Sequence, residues 1–273
     1  MRRSERLVDM TDYLLKKPFQ LLKLNYFTTR YNSSKSTISE DLEIVRQVFE
    51  EREVGRLETL KGTSGGVIFT PDISDGRSRK SAEEIKVLMH QKDRILPGGY
   101  IYLSDILGHP KNLKKIGQIL AHEFLNSRVD AVMTIATKGI PIAQSVAERL
   151  NVPFVIVRRD PKVTEGATLS VNYMSGSSAK VESMVLSKRA LSAGQRVLIV
   201  DDFMKGGGTL NGMKSLVYEM DCIVAGVSVF IEGPFRGERP IKDYKSMLAV
   251  DEINLLEHSI KVQLGNMYNN MTD

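Results

Sequence analysis

Chemistry concentrates in one run of residues, Val197, Leu198, Ile199, Val200, Asp201, Asp202, Phe203, Met204, Lys205, Gly206, Gly207, Gly208, Thr209, Leu210. Four apolar residues read as a buried strand that delivers two carboxylates to its end, and a glycine-rich loop then opens a helix. Neighbouring carboxylates are unfavourable unless they meet hydroxyl donors or a cation, and a ribose 2′,3′-diol supplies the hydroxyls. Successive glycines let backbone N–H groups close on a phosphate at the positive end of a helix, one ribose length away. A nucleotide-binding Walker loop would need a lysine and then a hydroxyl after its last glycine, and here Thr209 follows Gly208 with no lysine between them.

Two further segments could serve the same ligand. Thr134, Ile135, Ala136, Thr137, Lys138, Gly139 and Ile140 follow an apolar strand, so Ala136, Thr137, Lys138 and Gly139 can turn N–H groups and one ammonium toward an anion. A plain strand-to-helix turn fits the same residues. Between Arg158 and Arg189 stand six basic residues against three acidic ones, with Ser and Gly clustered over Ser175–Ser178. Arg158, Arg159, Tyr173 and Lys180 are the candidates there for closing over a diphosphate, and a solvated hairpin with scattered charges is the competing reading.

The elements that must hold these loops alternate between strand and helix. Ala131–Ala136, Pro153–Val157, Arg196–Val200 and Ile223–Phe230 read as strands, with helices over Ile140–Leu150 and from Thr209, which predicts a parallel sheet covered by helices. The run from Val197 resembles the 5-phosphoribosyl 1-pyrophosphate (PRPP) motif of type I phosphoribosyltransferases: an apolar strand, two acids, two apolar residues and a small, glycine-rich loop. The resemblance implies that Asp201 and Asp202 hold the ribose hydroxyls and Lys205–Thr209 the 5′-phosphate. It also implies that Ala136–Gly139 form the pyrophosphate loop and that the basic segment is a hood loop. Gly206 departs from the pattern, since many of these enzymes carry threonine or serine there. Asp243–Leu248 resembles the base-covering segment of purine-type members.

Upstream lies a different kind of domain. A turn-forming stretch, Pro71–Arg79, marks the boundary, giving domains 1–73 and 74–273, and Ser81 with Glu84 has capping-box spacing for the first helix of the second. Leu7, Met10, Tyr13 and Leu14 recur at helical spacing over Arg3–Lys16, and Leu22–Tyr31 can form a second helix. After the polar turn Asn32–Ser36, Thr37 and Glu40 have capping-box spacing for a third, whose apolar face is Ile38, Leu42, Val45 and Phe49. Val54–Leu60 and Gly66–Thr70 read as strands of a hairpin. Three helices and a hairpin make a winged helix, which binds either DNA or protein. For DNA, Ser34, Lys35, Ser36, Thr37 and Ser39 lie at the exposed start of the third helix, with Arg30, Arg56 and Lys61 placed for phosphates at the helix approach and the wing.

Charge agrees in part. The chain of 273 residues carries +5 with a pI near 9.1. Residues 2–35 hold eight basic side chains against three acids, while 36–72 hold four against eight, so a DNA-facing surface must come from selected side chains. No apolar run reaches the roughly 18 residues of a membrane span, and the first residues lack a signal-peptide stretch, so a cytoplasmic protein without a membrane partner is expected. Cys222 reads as a core residue, and His90, His109, His122 and His258 show no metal-ligand spacing.

A winged helix followed by a phosphoribosyltransferase-like domain resembles, over essentially the whole chain, the purine operon repressors of Gram-positive bacteria. That implies a homodimer that binds double-stranded operator DNA, represses purine synthesis and transport genes and releases DNA when PRPP, with or without Mg2+, is bound. It implies a transferase fold used for sensing, with no cofactor required. A diphosphate-bearing nucleotide such as an alarmone fits the same site. The alternatives are an active purine phosphoribosyltransferase with an N-terminal regulatory module and an RNA-binding attenuator.

Overall fold

The computed structural model describes residues 1–62, 65–90, 94–97, 100–161, 163–174, 180–255, 257 and 259–269. The chain forms two compact units, Met1–Ser74 and Asp75–Asp273. Thr63, Ser64, Lys162, the Ser175–Ser178 cluster and His258 lie outside the described residues.

The first unit runs α1 (Arg3–Leu15), β1 (Leu22–Lys23), α2 (Leu24–Tyr31), α3 (Lys35–Glu51), β2 (Gly55–Leu60) and β3 (Gly66–Pro71). The strands pair antiparallel in the order β1-β3-β2. All three helices are amphipathic, and Met10, Leu14, Phe27, Ile38, Leu42, Val45 and Phe49 meet Leu57, Val67 and Phe69 of the hairpin in one core. The two N-terminal residues expected in the second helix are instead strand β1, because Leu22 and Lys23 pair with Val67 and Gly66. Asn32, at φ 47° and ψ 54°, ends α2 in the left-handed conformation that asparagine tolerates. The third helix starts earlier than the Thr37/Glu40 spacing predicts. Ser34 is its cap, with Oγ accepting from the Thr37 amide at 3.2 Å, so Lys35 and Ser36 belong to the first turn. A buried ion pair lies beside this core: the Asp41 carboxylate, fully buried, accepts from the buried Arg6 Nε at 2.5 Å and from Arg3 Nε at 2.9 Å.

The second unit opens with α4 (Asp75–Met89), followed by β4 (Ile95–Leu96), β5 (Tyr100–Ile101), α5 (Ser104–Gly108), α6 (Pro110–His122), β6 (Ala131–Ile135), α7 (Gly139–Leu150) and β7 (Phe154–Val157). A hairpin, β8 (Thr168–Met174) and β9 (Val181–Ser187), precedes β10 (Arg196–Met204), α8 (Gly208–Glu219), β11 (Ile223–Glu232), β12 (Lys245–Asn254) and β13 (Ser259–Leu264). Here the segment expected to be a linker is helical: α4 begins at Asp75, six residues before Ser81. Its buried positions Ser78, Ala82, Ile85 and Met89 follow one helical stripe that starts inside the turn-like sequence, and this burial overrides the weak helix propensity of Gly76.

The six-stranded sheet has the order β13-β12-β11-β10-β6-β7, parallel except for the β12–β13 pair. Helices α6 and α7 pack together on one face, while α8 and the β8–β9 hairpin cover the other. Val197–Val200 are fully buried because both faces are covered, which is why the run is continuously apolar. Strand β10 continues past Val200 through both aspartates to Met204, paired with β11 up to Met204↔Glu232. The expected ends of the other core elements fall within two residues of those observed.

Candidate functional site

At the carboxyl edge of this parallel sheet, the place where open α/β sheets bind ligands, the structure assembles two of the three expected loops. The Asp201 side chain is 4% exposed and its Oδ1 accepts from the Asp202 amide at 2.9 Å. Gly139, the first residue of α7, lies directly against it. A Cβ on Gly139 would stand 3.0 Å from Asp201 Oδ1 and 2.1 Å from Thr134 Oγ1, so only glycine fits. The Ala136–Thr137 peptide before it is cis. Thr137 and Lys138 are exposed, Ala136 is half-buried, and Gly139 is buried.

Electrostatics follow from this placement. Burial pushes the Asp201 pKa well above the usual carboxylate value, and the neighbouring Asp202 charge adds to the rise. Burial also raises Asp202, against the opposing pull of its hydrogen bond with Asp201 and the charge of Lys138. The pair therefore gains from hydroxyl donors or cationic charge, and Lys138 and Arg159 are the side chains whose charges act on it. Thr134 Oγ1 is buried without a hydrogen-bond partner among the described residues.

Beyond the aspartates, Phe203 is half-buried, Lys205 is exposed, Gly206–Gly208 are buried and Thr209 is half-buried. Gly207 takes φ 79° and ψ 5° as the cap of α8, a left-handed conformation that glycine adopts without strain, and it brings the first amides of α8 to the loop. Met204 departs from the expectation: its side chain is 2% exposed in the apolar core, so only its backbone serves the loop.

The third segment corrects the sequence reading at two residues. Tyr173 is a core side chain, 6% exposed and packed on Gly212 of α8, with its hydroxyl donating to Glu182 at 2.7 Å. Its alternating position on β8 turns it inward, where it cannot close over a ligand. Arg158 pairs with Glu165 at 3.2 Å, and its backbone bridges to Val185 of β9. Arg159 remains exposed, 3.5 Å from Glu182, and Lys180 is exposed at the start of β9.

Sequence reasoning missed the side chains that back the glycine loop, because they come from far along the chain. Arg239 Nε donates to the Lys205 carbonyl at 3.0 Å and Nη2 to the Gly233 carbonyl at 2.8 Å. Its Nη1 donates to Glu232 at 2.6 Å and to the Tyr244 hydroxyl, which itself donates to Glu232 at 2.6 Å. Burial, followed by the Glu232 contact, pushes the Tyr244 phenol up to about 12. A cavity of about 620 Å3 is lined by these three residues together with Phe235 and Ile241, and neither aspartate reaches it.

In the first unit, Ser34, Lys35, Ser36 and Ser39 are exposed around the start of α3, with Thr37 half-buried among them. Ser34 Oγ also bonds the Ser36 and Thr37 hydroxyls at 2.8 and 2.9 Å. Lys61 is exposed in the hairpin turn, and Arg56 stands on β2, 3.2 Å from Asp72. Arg30 is committed elsewhere: its Nε and Nη2 grip both oxygens of Asp9 at 2.8 and 2.9 Å, and its Nη1 reaches the Tyr26 hydroxyl at 3.3 Å. A forked ion pair of this kind ties α2 to α1 and leaves little of the guanidinium for phosphate.

Comparison with known proteins gives the two units their relatives. Residues 2–71 match the family described as bacterial purine repressor, N-terminal, and residues 103–263 match the phosphoribosyl transferase domain. The purine biosynthesis transcriptional activator PurR of Lactococcus lactis subsp. lactis is 65% identical, over 98% of this chain and 99% of the relative. The purine biosynthesis transcriptional repressor PurR of Bacillus subtilis is 49% identical, over 97% and 93%. Among solved structures, adenine phosphoribosyltransferase from Thermoanaerobacter pseudethanolicus superposes with a TM-score of 0.51 at 29% identity, covering 56% of this chain and 88% of that one. Among the described residues no helix is long and apolar enough to cross a membrane. With a purine-repressor DNA-binding unit joined to a phosphoribosyltransferase-like α/β unit, and relatives matched from end to end, the chain belongs to the PurR family of purine biosynthesis transcriptional regulators.

Proposed function

We propose that the second unit binds PRPP as an effector and does not transfer its ribosyl group, and that paired first units of a cytoplasmic homodimer hold operator DNA of purine synthesis and transport genes. The observation that carries the reading is the Asp201–Gly139 approach. It brings a diol-binding carboxylate against a loop whose neighbouring ammonium, Lys138, suits a pyrophosphate, with the α8 amides beyond for a 5′-phosphate. Among the described residues no group of three or more His, Cys, Asp or Glu is placed to hold a metal ion. In this reading Mg2+ accompanies PRPP as the counter-ion of its diphosphate, and Asp201 and Asp202 hold the ribose hydroxyls.

Effector and DNA are linked because each prefers one arrangement of the dimer. The sign of regulation then depends on where the operator lies: a site covering the polymerase start represses and one upstream of it activates, which accommodates relatives named for both. Mobility shifts on purine promoters, with and without PRPP and Mg2+, test the reading beside the Asp201→Ala, Asp202→Ala double variant. Specific binding that responds to PRPP only in the parent protein supports it, and absence of specific duplex binding sinks it. An active purine phosphoribosyltransferase is the second reading, favoured by the intact diol and phosphate loops. Pyrophosphate release with PRPP and a purine base decides between them. A diphosphate nucleotide such as an alarmone is tested in the same shift assay.

A further inference from the structure

A loop that holds phosphate through backbone amides must present N–H groups and keep its carbonyls turned away, because a carbonyl oxygen facing a phosphate is repulsive. The bond from the Gly233 amide to the Met204 carbonyl, 2.8 Å, closes the end of the β10–β11 ladder just before the loop. The next carbonyl, that of Lys205, has no place in the ladder, and Arg239 takes it. One planar guanidinium spans Lys205 O at 3.0 Å and Gly233 O at 2.8 Å, so it fastens the first residue of the loop to the first residue beyond β11.

The guanidinium is itself held by two side chains, one of which is fixed in turn. Glu232 pairs with it at 2.6 Å, Tyr244 lies beneath it with the guanidinium carbon 5.6 Å from the ring centroid, and Ser246 Oγ fixes the second Glu232 oxygen at 2.6 Å. The Arg239 side chain is 20% and that of Glu232 14% exposed, so both charges are largely withdrawn from water. The geometry points to Arg239 as a positioning residue for phosphate recognition: it withdraws the Lys205 carbonyl so that the amides of Gly206, Gly207 and Gly208 alone face the anion. Glu232 and Tyr244 orient it. This rests on the reading of the loop as the 5′-phosphate site.

Lysine at this position keeps the charge against Glu232 but loses the planar fork that reaches two carbonyls at once. Arg239→Lys in the full chain is therefore the test, with ribose 5-phosphate and inorganic pyrophosphate as separate calorimetric probes. Ribose 5-phosphate affinity should fall about tenfold or more while pyrophosphate affinity, served by Ala136–Gly139, and the melting temperature stay as in the parent protein. Equal affinity for ribose 5-phosphate in the two proteins overturns the proposal, as does a matching loss for pyrophosphate, which would show a general distortion. Amide exchange of Lys205–Thr209 provides a readout without ligand. It should quicken in Arg239→Lys, and unchanged exchange there rejects the strap even if the parent protein binds neither probe. That last result would remove the phosphate-site reading by itself.

Discussion

Replacing Asp41 by alanine should unfold the DNA-binding unit locally while sparing the other unit. The carboxylate is fully buried between α1 and α3, and Arg6, its nearer partner, is 8% exposed, whereas Arg3 is 54% exposed. Removing the acid leaves Arg6 as a buried, unpaired cation, and breaking a buried pair in this way costs about 3–5 kcal/mol. A unit of 74 residues has a total stability of about 4–11 kcal/mol at typical values per residue, so roughly a quarter or more is lost. Hydrogen exchange resolved by mass spectrometry measures this unit by unit. Protected amides within residues 3–71 should exchange faster by roughly two to nearly four powers of ten, with peptides from 75–273 as the internal reference. Duplex DNA binding should fall with it. The double replacement Arg6→Met, Asp41→Leu, which removes both charges, should recover most of the protection. Exchange in Asp41→Ala that rises less than tenfold would refute the argument, showing that water reaches Arg6 or that the pair contributes little.

Three further changes probe other parts of the chain. Ser34→Ala removes the cap of α3 and should cost about 1 kcal/mol, read as a roughly fivefold faster exchange of the Ser36–Ile38 amides together with weaker DNA binding; unaltered exchange would argue against the cap. Gly139→Ala drives a methyl group onto Thr134 Oγ1, so thermal melting of the second unit should report a loss of about 1–3 kcal/mol and ribose ligands should no longer bind. Adding Thr134→Ala should restore part of the stability, and strict additivity would contradict the contact. Because Asp201 holds its proton more tightly folded than unfolded, its charge destabilises the fold increasingly as pH rises above the ordinary carboxylate range. Asp201→Asn should therefore melt at the same temperature as the parent protein near pH 4 and higher near pH 7.5, by about 1.4 kcal/mol per unit of raised pKa. A variant less stable than the parent at pH 7.5 would reverse that sign.

What the sequence made legible was local. The continuous apolar run into Asp201 and Asp202 identified a central strand, since only a strand covered on both faces has that composition. The stripe Ile38, Leu42, Val45, Phe49 likewise placed the core side of α3. Helix starts were harder: Thr37/Glu40 and Ser81/Glu84 both had capping-box spacing, yet Ser34 caps α3 and α4 begins at Asp75. In each case a polar first turn carries no periodicity for a reader to use. Side-chain roles set by contacts distant in sequence were opaque. Tyr173 reads as a ligand residue until Gly212, nearly forty positions later, is seen to receive it. Arg30 reads as a phosphate contact until Asp9 occupies it. Arg239 carried no motif at all, and its meaning arises only from carbonyls at 205 and 233.

The two outer strands of the large sheet bear on how the protein behaves in a crowded cell. An exposed strand edge is a template on which other chains can polymerise. Strand β7 is only four residues long, and the Arg158↔Val185 bridge hands its end over to the hairpin. At the opposite rim β13 presents the exposed Lys261, and the register shift between Val250 and Glu252 kinks the pairing beside it. Shortness at one side, and charge with a bulge at the other, deny a seventh strand its footing. The sheet is thereby protected against self-templated aggregation, without resort to closure into a barrel.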